Sequence, residues 1–114
     1  MASENILTLT EQNFASEVES STVPVVVDFW AEWCAPCRAL GPILEAVGQA
    51  RPGAVKIGKV NVDEAPALAA QFNVRSIPTM LFVKDGQVQD THVGVLSKDG
   101  ILRKIDSLGS AVQA

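Results

Sequence analysis

From Val23 to Trp30 the chain reads Val-Pro-Val-Val-Val-Asp-Phe-Trp, and Cys34 follows four residues later. An apolar, mostly β-branched run of this kind is a strand buried on both faces, which belongs in a sheet covered by helices on each side. The next segment changes period. Leu40, Ile43, Leu44 and Val47 recur at i, i+3, i+4 and i+7, the stripe of an amphipathic helix from about Cys34 to Ala50. Strand, short turn and helix therefore follow in direct succession, and the chain's 2 cysteines, Cys34 and Cys37, both lie where the helix opens.

The rest of the chain repeats the alternation. Ile6–Leu9 is a short strand, with Thr10 an N-cap for a helix carrying Phe14 and Val18. Gly41-Pro42 interrupts the second helix, where proline removes a backbone donor and should kink it. Val55–Val62 is a strand, closed off from the helix by Pro52-Gly53. Asp63 is expected to cap a short helix with Pro66 in its first turn, Leu68 and Phe72 on its buried face and Asn73 as a left-handed terminator. Thr79–Lys84 and Gln87–Val93 are strands joined by the hairpin signal Asp85-Gly86; the second is polar enough for a sheet edge. Ser97 can cap a last helix bearing Ile101, Leu102, Ile105 and Leu108, which Gly109 would end. This order predicts an α/β fold, a mixed five-stranded sheet covered on both faces by about four helices.

A chain of 114 residues with 47% apolar content is expected to form a single domain over residues 1–114, with a core that needs no disulfide staples. Nine basic against 13 acidic side chains give a formal charge of −4, which argues against nucleic-acid binding. The N-terminus has no basic segment followed by an apolar stretch, so no secretory signal is read there. No apolar run approaches the roughly 20 residues of a membrane helix. An intracellular setting follows as the expectation, and thiols there are kept reduced, so a cysteine pair is catalytic before it is structural.

A Cys-x-x-Cys at a helix start is a redox device. The helix's unpaired N–H groups and positive dipole end stabilise an anion, so Cys34 is expected to have a lowered pKa and to attack first. Cys37, one turn deeper on the same face, is the expected resolving thiol. Pro36 restricts the turn and removes a donor. Other uses fail on counting: structural zinc needs about four Cys/His ligands, whereas this chain has 2 Cys and 1 His, His92, in another element. A c-type haem site needs His after the second cysteine, where Arg38 stands. A disulfide closing so short a loop stabilises little. No metal site is expected.

Val26-Val27-Asp28-Phe29-Trp30-Ala31-Glu32-Trp33-Cys34-Ala35-Pro36-Cys37 resembles the active-site segment of the thioredoxin family. Pro42, Val60-Asn61-Val62-Asp63, Ile77-Pro78-Thr79 and Val93-Gly94 resemble further family motifs, in order and at family spacing, from about Ile6 to Leu108. The resemblance implies the thioredoxin fold and protein-disulfide reduction through a Cys34–Cys37 disulfide. No bound cofactor is implied. Electrons would come from a thioredoxin reductase drawing on NADPH and go to oxidised protein substrates, in the cytoplasm, with the chain a monomer. One departure concerns tuning: the family's usual dipeptide between the cysteines is Gly-Pro, and here it is Ala35-Pro36, which adds a methyl group beside Cys34. Arg38 stands where lysine is common and keeps positive charge near the thiols.

Asp28 is the most informative supporting residue. It falls mid-strand on the face of Val26 and Trp30, where a carboxylate is costly unless protonated or paired. By resemblance it exchanges a proton with Cys37. Lys59, on the Val55/Ile57 face, either approaches Asp28 and modulates it, as the resemblance implies, or extends to solvent. The resemblance also implies a cis Pro78 beside the cysteines, exposing the Ile77 backbone to a substrate chain. Trp33 is expected to form an exposed substrate rim and Trp30 to pack beneath the loop. Val93 and Gly94 would make an apolar patch opposite Pro78, unless Gly94 serves only the backbone turn. His92 is read as solvated. The rival readings are a thiol oxidant or isomerase, and a non-catalytic thioredoxin-fold binding or chaperone subunit.

Overall fold

The computed structural model describes residues 6–111, with side chains through Leu108. Five strands form one sheet in the order β1-β3-β2-β4-β5. They are β1 (Ile6–Leu9), β2 (Val25–Trp30), β3 (Lys56–Asn61), β4 (Thr79–Lys84) and β5 (Gln87–Val93). β3 pairs in parallel with β1 and β2, whereas β4 runs antiparallel to β2 and β5 antiparallel to β4. The buried run of the sequence thus becomes the central strand, and the polar Gln87–Val93 segment becomes an edge.

The helices divide between the two faces. α1 (Ala35–Ala50) and α3 (Lys98–Ala111) cover one, where Val26, Ile57, Met80 and Phe82 of the sheet meet Leu40, Leu44, Val47, Ile101 and Ile105. α2 (Pro66–Gln71) and a π-helical turn (Ala15–Glu19) cover the other, where Val25, Val27, Phe29 and Val60 meet Phe14, Val18 and Leu68. Alternation along β2 therefore assigns Asp28 to the α1 face. It stands beside Lys59 of β3 and opposite Met80 of β4.

Local chemistry sets the ends of the elements. Ser97 Oγ accepts from the Gly100 N–H at 3.1 Å, as expected of a cap. Asn73 adopts φ 57°, and α2 closes with bonds from Val74 N–H to the Ala69 carbonyl and from Asn73 N–H to the Ala70 carbonyl. This is a Schellman motif. Asp85 and Gly86, at φ 54° and 75°, make the tight turn between β4 and β5.

Three expectations are corrected. Thr10 Oγ1 does accept the N–H groups of Gln12 and Asn13, and Asn13 Oδ1 accepts from Thr10 N–H in return. The segment it opens, however, widens to a π turn, with Ser20 N–H reaching the Ala15 carbonyl. Asp63 does not cap α2. Asn61 Oδ1 instead accepts from the N–H groups of Asp63 and Glu64, and Glu11 Oε2 from Ala67 N–H. α3 does not stop at Gly109 but continues to Ala111.

Candidate active site

Cys34 is the N-cap of α1, and Pro36 lies in the helix's first turn. The two cysteines form a disulfide with their Cα atoms 5.2 Å apart. The Cys37 N–H donates to Cys34 Sγ at 3.2 Å, so one of the otherwise unpaired N–H groups of the helix start is directed at that sulfur. Such a donor favours the sulfur as an anion once the bond is opened. Burial is unequal: Cys34 keeps 6% of its surface and Cys37 none. Access to the disulfide is therefore from the side of Cys34 alone.

Asp28 lies below. It is fully buried, and among the described residues neither carboxylate oxygen has a hydrogen-bond partner. Burial raises its pKa from 3.8 to about 7, and the positive charge of Lys59 works against that rise. α1's buried stripe begins with Cys37 and continues through Leu40, Leu44 and Val47. It packs on the same sheet face that carries Asp28, so the inner cysteine stands over the C-terminal end of β2.

Lys59 and Trp30 occur together. Lys59 Nζ lies 4.1 Å from the centre of the half-buried Trp30 ring, a cation–π contact. Both line a groove of about 780 Å³ between β1 and α1, together with Leu7, Arg38, Pro42 and Asn61. Lys59 is in register with Asp28 and also lines a solvent groove. Trp30 borders that groove and belongs to neither apolar cluster of the core.

The outer surface assembles from three segments of the chain. Trp33 is 70% exposed, and Ala35 and Pro36 are exposed beside it. The Ile77–Pro78 peptide is cis, and the Ile77 carbonyl oxygen lies 3.9 Å from Cys34 Sγ. Gly94, at φ 101°, donates its N–H to the Pro78 carbonyl at 2.8 Å, which ties the end of β5 to this loop. That φ favours glycine, and Gly94 so serves the turn as well as the surface. Val93 is 59% exposed at the same place, and Val95 beyond it is exposed too. The Arg38 guanidinium bonds the Glu32 carbonyl at 3.0 Å and braces the loop leading into Cys34.

Sequence reasoning missed one contact at the rim. Trp33 Nε1–H donates to Asp63 Oδ2 at 2.9 Å, across 30 residues. Parallel pairing carried a usable signal: Trp30 is in register with Asn61, so the loops that leave β2 and β3 emerge side by side. His92 is half-buried on β5 and is not among these residues. Among the described residues, no group of three or more His, Cys, Asp or Glu side chains is placed to hold a metal ion.

A mixed sheet with a Cys-x-x-Cys disulfide capping the helix after its central strand defines a thiol–disulfide exchange protein. The comparisons with known proteins give the family. The thioredoxin family model matches residues 5–107. The chain is 50% identical to a thioredoxin of Chlorobaculum thiosulfatiphilum over 85% of its own length and 90% of that protein's. It is 45% identical to thioredoxin 1 of Synechococcus elongatus, covering 86% of this chain and 92% of the relative. With a thioredoxin of Haemophilus influenzae it shares 47% identity over 82% and 87% of the two chains. The chain belongs to the thioredoxin family. It is a thiol–disulfide oxidoreductase that reduces protein disulfides, and its redox centre, the Cys34–Cys37 pair, lies within the chain rather than on a bound cofactor.

Proposed function

We propose that this thioredoxin carries electrons from a thioredoxin reductase, and so indirectly from NADPH, to oxidised proteins, with Cys34 as nucleophile and Cys37 as resolving thiol. In the reduced protein the Cys34 thiolate attacks one sulfur of a substrate disulfide. A Cys34–substrate bond forms and one substrate thiolate leaves. The Cys37 thiolate then attacks Cys34 Sγ, expels the second substrate thiolate and closes the Cys34–Cys37 disulfide. Two electrons pass to the substrate, whose two thiolates take up protons. Asp28 accepts the proton that Cys37 must lose, a role that suits a buried carboxyl poised near neutrality.

The observation that carries this reading is the unequal burial of the two sulfurs at the helix start. Trp33, Ala35, Pro36, Ile77, Pro78, Val93 and Gly94 form the partner surface. Its small extent suits brief contacts with varied substrates and with the reductase. Ala35, Pro36, Trp30, Lys59 and Pro78 tune the pair. The protein acts as a monomer in the cytoplasm and forms a single domain, the last supported by one sheet that recruits all five strands of the described residues. The cytoplasmic setting is supported by the usefulness of a reducing dithiol where thiols are kept reduced. Its formal charge of −4 disfavours a phosphate backbone as partner, and no helix among the described residues is long and apolar enough to cross a bilayer.

Substitution of the resolving thiol tests the assignment. Reduced Cys37→Ser mixed with insulin is expected to accumulate a covalent adduct through Cys34, while Cys34→Ser accumulates none. Adducts trapped on Cys37 instead would reverse the two roles.

A further inference from the structure

We propose that Asp63 is a positioning residue for partner recognition: by accepting the Trp33 indole N–H it fixes the exposed ring beside Cys34 in the orientation that receives a substrate chain. The inference rests on the reading that Trp33 belongs to the partner surface.

Trp33 immediately precedes the attacking cysteine, and 70% of it is exposed. A side chain so placed has little packing to hold it. Unrestrained, the indole would exchange among rotamers, and a partner would have to immobilise it on docking, at a cost in affinity. The structure supplies one restraint, the 2.9 Å bond from Trp33 Nε1–H to Asp63 Oδ2.

The acceptor is itself fixed. Asp63 N–H donates to Asn61 Oδ1 at 2.9 Å, and the Glu64 N–H reaches the same oxygen at 3.3 Å. Asn61 ends β3 directly beside Trp30 of β2. The chain of support therefore runs from the sheet through the Asn61 turn to the Asp63 carboxylate, and from there to the ring. An aspartate just ahead of a helix would ordinarily cap it, yet Asn61 and Glu11 satisfy the N–H groups there. Its carboxylate is left to the indole.

The test compares Asp63→Ala, Asp63→Asn and Trp33→Ala by the second-order rate of insulin reduction by the reduced protein. Loss of one hydrogen bond should slow Asp63→Ala by about three- to tenfold. Asp63→Asn, which keeps an oxygen acceptor, should recover most of that rate. The Trp33 indole N–H resonance should exchange with solvent faster in Asp63→Ala, and the reduction potential of the pair should stay unchanged in both variants. An unchanged rate in Asp63→Ala with a slowed Trp33→Ala would overturn this inference alone. Full activity of Trp33→Ala would overturn the partner-surface reading and the inference with it. A shifted potential in Asp63→Ala would also overturn it, since Asp63 would then act through the thiols. So would a failure of asparagine to restore the rate, which would make charge rather than the hydrogen bond the active property.

Discussion

Asp28 on the central strand and Asp63 beside Trp33 are the same side chain in opposite surroundings. Asp28 is sealed on a central strand, has no hydrogen-bond partner among the described residues and is pushed up to about 7. Asp63 is exposed on a loop and holds a neighbouring ring. Burial turns the first into a group that trades protons near neutral pH; solvent leaves the second an ordinary acceptor whose value is geometric. On the proposed reading, the buried floor handles the proton and the open rim meets the partner. The floor should cost stability and the rim almost none.

The largest expected effect is at the floor. The unfolded chain releases the Asp28 proton near 3.8, the folded chain only near 7. Between those values the unfolded state binds fewer protons than the folded one, so stability falls as pH rises through the window. The loss is complete above about 7 and amounts to about 4 kcal/mol from this group. Asp28→Asn should therefore be more stable than the parent at pH 8 by most of that amount, and should match it below pH 4. Urea melts across this range would show it; a gap independent of pH would mean that the floor is not the titrating element.

Lys59→Met should sharpen the contrast from the other side. Lys59 is the charge that restrains the rise at Asp28, and removing it should drive the Asp28 pKa further up. The pH-dependent loss of stability would then extend to higher pH. A downward shift would show that Lys59 acts mainly through the Trp30 ring it covers. The smallest stability effect is expected at the rim: Asp63→Ala should change unfolding free energy by no more than about 1 kcal/mol, the net worth of one exposed hydrogen bond. A larger loss would mean that the rim supports the fold as well as the partner.

Much of the floor was legible in the sequence, because local rules govern it. A carboxylate at an alternating position inside Val23–Trp30 must face a buried layer, and a cysteine pair at the first turn of an amphipathic helix must sit over that layer. Ser97, Asn73 and Asp85-Gly86 likewise do what their local chemistry demands. The rim was less legible. Asp63 has the spacing of a helix cap, but two other acceptors reach the helix start first, one of them Glu11, far off in sequence. The π turn at Ala15–Glu19, whose Val18 is buried, is likewise settled by packing, which overrides weak local preference. The groove at Lys59 arises only where β1 and α1 are brought together.

The most direct test of this division is a carbon-13 NMR titration of the Asp28 carboxyl in the oxidised protein. The account predicts a midpoint near 7 for Asp28. A midpoint near 4, the ordinary range for aspartate, would mean that the buried floor is hydrated or paired, and would remove the basis for its role in proton transfer.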